Sequence, residues 1–364
     1  MRWIDLAHRW LGGLIGLLLA AIGLSGAVLL HKDAWTAVSH KGDAVVRDAD
    51  RVAAMVARTM ADPVGRPRMI TFAAPGFGVD RLAYEKGAGA YADQDGGILS
   101  RWDNQWSRPE MWLVDFHEHL LSGESGETIV GVAGLAGLVF VVTGTILWWR
   151  TRRTFEFRLL PKRLSRPAIV RHHRDLGILV APLLLLSFVT GTILIFRPLS
   201  SVLLGPGATA AIVSAAKGPP APSGDVGPDV DWRGMIRTAH TRFPEADFRS
   251  LSLPRKTNGL IVIRMKQPWE WLPNGRTTLW FAAGDGHLLA ARDPADAPAQ
   301  VGAYNRLFPL HAGKVGGLAY RLVMTLSGLG LALLGSLTVW SFWFKRKAPP
   351  KRAQPNARMV DPVR

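Results

Sequence analysis

Cysteine is absent from all 364 residues. Its absence excludes covalent c-type haem, iron–sulfur clusters, thiolate zinc sites and disulfides, so any metal chemistry must use histidine, carboxylate or methionine. Hydrolase triads, phosphate loops and nicotinamide fingerprints are missing as well. Charge is locally missing too: Leu11 to Leu30, Ile129 to Trp149, Ile178 to Phe196 and Leu322 to Phe344 contain no ionised side chain. Each run is near the ~20 residues needed to cross a hydrocarbon core. Four transmembrane helices are therefore expected. The first run exceeds the roughly 7–15 residues of a signal-peptide core, so it is read as a retained helix.

The formal net charge of +16 is unevenly placed. Arg150 to Arg174 carries nine basic residues against Glu156, and Lys345 to Arg364 carries seven against Asp361. Lys32 to Thr128 carries eleven basic and fifteen acidic residues. The positive-inside rule then puts both termini and the 151–172 loop in the cytoplasm and the two long segments outside. The basic runs are explained by a cytoplasmic face touching anionic membrane lipid, and no nucleic-acid partner is expected.

The chain is written twice. HRWLG at His8 to Gly12 recurs as HRDLG at His173 to Gly177, and each histidine is followed eighteen residues later by the glycine of a hydroxyl–glycine pair, Ser25-Gly26 and Thr190-Gly191. Eighteen residues are five whole turns, so histidine and glycine share one helix stripe. DFHEHLLSG from Asp115 and PLHAGKVGG from Pro309 place His117 and His311 at comparable distances before the second and fourth runs. Four histidines thus occupy matched positions at two membrane boundaries.

Neutral imidazole is a common metal ligand, and an ionisable residue in a span is a functional candidate by default. The bland alternative is an interfacial histidine, but two pairs matched in repeat and in side favour ligation. Haem b suits the surroundings better than zinc, which would need four clustered ligands. Gly12 and Gly177, one turn from their histidines, would leave room for a flat macrocycle, although glycine also serves close helix packing. His31 is an alternative outer ligand, and His119 and His172 are the nearest substitutes. His40, His240 and His287 read as surface. Arg9, Arg174 and Arg321 are possible propionate partners. Trp102, Trp106, Trp112, Trp269, Trp271 and Trp280 suit core packing or the lining of a bulky substrate's site.

In the exported segments, Asp50 to Met60 and Trp232 to Phe243 have helical patterns. Strands are expected within Arg81 to Trp102, Leu251 to Lys266 and Thr277 to Phe281, giving two small α+β modules. Ser200 to Pro228, rich in Ala, Gly and Pro, is expected to be a linker or loosely ordered arm.

The four motifs in order resemble the PepSY-associated transmembrane-helix family, over almost the whole chain. That resemblance implies an integral membrane, α-helical fold of two repeated helix pairs with PepSY-like periplasmic modules at 32–127 and 198–314. The spans fall at 1–31, 128–150, 173–197 and 315–344, with a cytoplasmic loop at 151–172 and tail at 345–364. The family includes iron-regulated inner-membrane proteins and ferric-siderophore reductases with two b-type haems. On that likeness, His8, His117, His173 and His311 are the expected haem iron ligands, and a ferric siderophore or other ferric chelate is the expected substrate. Electrons would come from a quinol or a cytoplasmic reductase. The rival expectation is a regulatory, peptide- or protease-binding membrane protein without redox activity; a third is a transport accessory that binds the chelate unreduced.

Overall fold

The structure is a computed structural model, described over residues 2–62, 64–221, 223–254 and 258–343. The basic tail and Phe344 lie outside these residues. Four helices are long and apolar enough to cross a membrane: α1 (Arg2–Leu29), α4 (Gly123–Thr151), α5 (Arg166–Ile195) and α8 (Gly317–Trp343). Each extends past its apolar run; α5 starts twelve residues before Ile178. Hydropathy registers only the part that lipid must solvate, whereas backbone hydrogen bonding continues the helix through polar residues such as Arg171 and Arg174.

α1 packs on α8, and α4 on α5. The α1–α8 seam is made of small residues: a Cβ on Gly23 would lie 2.8 Å from the Gly328 carbonyl oxygen, so the two backbones touch. Lipid supplies no hydrophobic drive between helices, and such close approach recovers dispersion energy instead.

Both long loops leave the bundle at the same end and build one layer of helix and sheet. The first supplies α2 (Ala49–Thr59), β1 (Met69–Thr71), β2 (Asp80–Ala83), β3 (Gly89–Ala92), β4 (Ile98–Trp102) and α3 (Pro109–His119). The second supplies α6 (Ala208–Ala216), α7 (Trp232–Arg242), β5 (Asp247–Ser252), β6 (Leu260–Lys266), β7 (Thr277–Ala282) and β8 (Leu288–Arg292). Asp48 and Asp231 cap α2 and α7 by accepting from the N–H of Arg51 and Gly234, satisfying donors that the first turn leaves free.

The strands form one eight-stranded antiparallel sheet in the order β4-β3-β2-β1-β5-β6-β7-β8. The join is β1 against β5, with Ile70 opposite Leu251. Sequence reading anticipates two separate small sheets and misses β1, whose three residues are too short for an alternating pattern. Residues of both loops share one core, including Met55, Val56, Ile70, Met235, Ile236, Leu251, Ile263 and Phe281. The expected loose arm needs correction over 200–216, where Ser200–Leu204 and α6 are helical and α6 buries Ala208 and Ile212 against Val301, Tyr304 and Leu307, whereas 217–221 and 223–228 carry no helix or strand. Alanine in that composition is a helix former rather than a mark of disorder.

Candidate functional site

Two pairs of imidazoles face each other at opposite ends of the bundle. His8 on α1 and His173 on α5 have ring centroids 6.1 Å apart, at the end away from the sheet. His117 on α3 and His311, in the short helix Leu307–His311, have centroids 6.2 Å apart, at the sheet end. With metal–imidazole bonds of about 2.0–2.1 Å and about 1.1 Å from nitrogen to ring centre, two imidazoles on opposite sides of one metal ion have centroids roughly 6.3 Å apart. The ring planes differ by 79° and 48°, which rotation about the metal–nitrogen axis permits.

Each imidazole is held in the same way. Nδ1 of His8 meets Thr143 Oγ1 at 2.8 Å, and that of His173 meets Thr338 Oγ1 at 3.0 Å. Nδ1 of His117 meets Ser25 Oγ at 2.9 Å, and that of His311 meets Thr190 Oγ1 at 3.0 Å. The hydroxyls in turn donate to backbone carbonyls of their own helices: Thr143 to Val139, Thr338 to Leu334, Ser25 to Ile22 and Thr190 to Leu186. A hydroxyl has one proton, and here it is committed to the carbonyl. The oxygen can only accept from the ring, which assigns the imidazole proton to Nδ1 and leaves Nε2 with a lone pair. No hydrogen-bond partner of these four Nε2 atoms is found among the described residues. A hydrogen-bonded Nδ1–H with a bare Nε2 is the arrangement of a metal-ligating histidine and its supporting shell. At the sheet end, burial and the neighbouring His311 push His117 down to about 4, and burial lowers His311 as well, so both are neutral at physiological pH.

The backbone leading to the sheet-end pair is unusual. α3 ends just after His117 in a turn where Leu120 and Leu121 have φ of 49° and 58°, a region costly to residues with a Cβ. The turn after His311 passes through Gly313, Gly316 and Gly317, also at positive φ. Both histidines thus sit on a short helix folded back sharply against a span. A Cβ on Gly26 or Gly191 would approach Cε1 of His117 or His311 to 3.0 or 2.9 Å, so the second glycine of each stripe makes room for the imidazole of the other end.

The remaining candidates separate. Gly177 has open space beside it, with nothing within 4 Å of an added Cβ, whereas Gly12 is closed against the Thr338 methyl at 3.1 Å and serves packing. His31 has Nε2 2.8 Å from Thr325 Oγ1. His172 is buried with Nε2 on the Leu159 carbonyl, and His119 Nδ1 lies 3.2 Å from Asp115. Arg174 is bidentate to Asp175 and also donates to Thr154; Arg9 reaches Asp5 at 3.5 Å. Arg321 alone of the three has a buried guanidinium Nε without a partner among the described residues. Trp102 and Trp280 are core residues, while Trp106 and Trp269 are exposed. Among the described residues no three of His, Asp and Glu cluster as a metal cage. Thr143 and Thr338 escaped sequence reading, because a threonine in a span has no pattern until its partner helix is in place.

A second polar site lies in the sheet layer. Asp80, at the start of β2, is 2% exposed; Oδ1 accepts the Ala73 N–H at 2.7 Å, while Oδ2 has no partner among the described residues. Burial pushes its carboxyl up to about 7, and the like charges of Asp93 and Asp95 add to the rise. Between the ordinary value and about 7 the folded chain holds a proton that the unfolded chain has lost. Stability therefore falls as pH rises through that window, by roughly 4 kcal/mol in full for this group alone. Asp80→Asn cannot ionise and keeps the acceptor for Ala73. Its melting temperature relative to the parent, followed by scanning fluorimetry in detergent, is expected to climb by several degrees between pH 4.5 and 8. A constant difference would contradict this account.

The family described as PepSY-associated TM region matches residues 6–346. No curated protein matches the chain.

Proposed function

The chain belongs to the PepSY-associated TM family, and from that premise we propose that it is a dihaem b reductase of the bacterial inner membrane, acting on ferric siderophores in the periplasm. The supporting observation is the pair of facing imidazoles at each end of the bundle, all four with Nδ1 fixed on a hydroxyl. His8 and His173 would hold one haem iron through Nε2, and His117 and His311 the other. Gly177 leaves room beside the first, and Arg321 offers a free guanidinium nitrogen for a propionate at the second. The hydroxyls of Thr143, Thr338, Ser25 and Thr190 fix ring orientation and tautomer and raise ligand basicity. Bound haem supplies a one-electron couple, in keeping with a chain that has no thiol or nicotinamide site of its own.

On this reading the chain is two copies of a helix pair. In each copy the first span carries the inner histidine and the hydroxyl for the outer one, and the second span carries the hydroxyl for the inner one. The basic 151–172 loop sets the termini in the cytoplasm and the sheet layer in the periplasm. Eighteen residues, about 27 Å of helix, separate His8 from Gly26 beside the outer pair, so the two sites serve opposite faces of the bilayer. One quinol, giving two electrons and two protons, would reduce two ferric chelates to ferrous ones. Fe(II) suits hard siderophore oxygens less well than Fe(III), so iron is released after reduction.

The test is anaerobic mixing of dithionite-reduced protein, freed of excess reductant, with the ferric complex of a hydroxamate siderophore. Reoxidation of a b-type spectrum by the ferric complex, and not by the redox-inert gallium(III) complex, is expected. A colourless preparation of folded protein, or a reduced spectrum indifferent to ferric chelates, would sink the proposal.

A further inference from the structure

A cavity of about 620 Å³ opens in the sheet layer, walled by both long loops. Its size is that of a small-molecule site. The apolar wall includes Val52 and Met55 of α2 with Phe72 and Phe248, whose rings lie 5.9 Å apart, tilted at 57°, across the β1–β5 join. Asp80 lines the same cavity, 98% withdrawn from solvent, with Oδ2 unpartnered among the described residues. Lys266 and His240 also line the cavity, and no ion pair to Asp80 is found among the described residues. Arg47, on the rim, is bound to Asp247 at 2.7 Å, and the charges acting on Asp80 are those of Asp93 and Asp95, of its own sign.

A buried carboxylate oxygen without a donor is costly, and such groups persist where a ligand supplies the missing partner. Above about pH 7, where Asp80 is ionised, an acceptor-only anion beside an aromatic wall calls for a cationic hydrogen-bond donor with an apolar body. From this geometry we infer that the cavity binds a small organic amine, its ammonium group on Asp80 Oδ2 and its apolar body over Phe72, Phe248 and Met55. The site draws residues from both loops, so its occupant bridges the two halves of the sheet. The inference is independent of haem: it uses none of the four paired histidines.

Full-length protein in nanodiscs, titrated with 2-phenylethylamine and followed by saturation-transfer NMR, tests it. Saturable binding at least tenfold tighter than that of 2-phenylethanol or 3-phenylpropanoate is expected at pH 8. Asp80→Asn should raise the amine's Kd at least tenfold and leave the alcohol unaffected. Val45→Trp, on the cavity lining and clear of the Ala73–Asp80 bond, should abolish binding of both while the thermal transition is kept. An equal Kd for amine and carboxylate, an amine Kd unchanged in Asp80→Asn, or absence of saturable amine binding to the parent protein would overturn it.

Discussion

Replacing His173 with alanine is expected to halve the haem bound per chain, from two to one, and His311→Ala should do the same at the other end. The double variant should be colourless. The size of the effect follows from the geometry: each site offers two nitrogens on two different elements, and among the described residues no third imidazole joins either pair. His31→Ala is the discriminating control: no second imidazole is found facing His31 among the described residues, and haem content should be unchanged. Thr338→Val keeps the ligand and removes only the acceptor for Nδ1–H of His173. Losing such a supporting partner typically costs about 10–100-fold in affinity, so this variant should lose haem on dilution rather than during purification. Pyridine haemochromogen assay against protein concentration measures all of these. Two haems per chain in both single histidine variants would refute the ligand assignment.

The second large effect is expected at Gly335, where the cost is steric. A Cβ there would lie 2.2 Å from the Gly16 carbonyl oxygen and 3.2 Å from its carbon, and backbone cannot swing aside as a side chain can. Seven residues earlier on α8, Gly328 meets Gly23 in the same way, a Cβ falling 2.7 Å from its oxygen. The helices therefore touch at two levels two turns apart, and Gly335→Leu must separate them. Overpacking of this kind costs about 1–3 kcal/mol in ordinary cores, and more where backbone is the obstacle. Thr338 lies one turn beyond Gly335, so the same separation draws its hydroxyl away from His173. A lowered melting temperature together with loss of the haem at the His8–His173 end is expected, read by scanning fluorimetry and absorption on one sample. Gly302→Ala, in the short helix Ala299–Asn305 and with no atom within 4 Å of the added Cβ, should not lower the melting temperature. Equal melting temperatures for Gly335→Leu and the parent would remove the packing argument.

The two expectations differ in how visible they were beforehand. The histidines announce themselves, because an imidazole beside a charge-free run is conspicuous and the eighteen-residue spacing to Gly26 and Gly191 repeats. The role of Gly335 is silent in sequence. It is one of 38 glycines, and only the crossing of α1 and α8 distinguishes it from Gly177, which faces open space. The roles of Gly12 and Gly177 diverge for the same reason: one stripe position ends against a neighbouring threonine and the other does not.

By itself the sequence determined the four spans, the end of the bundle at which each histidine lies, and the α+β character of the loops. These are one-dimensional consequences of solvation and period: a helix in lipid must be apolar for about 20 residues, and five turns return to the same face. Tertiary structure decided what touches. It set the imidazole separations, the hydroxyls of Thr143 and Thr338 that leave Nε2 bare, the contact of His31 with Thr325, the fusion of two loops into one sheet through the three residues of β1, and the unpartnered oxygen of Asp80. Each of these depends on residues distant in the chain meeting within a few ångströms, and a hydrogen bond or a steric contact is decided at that range, where periodicity carries no information.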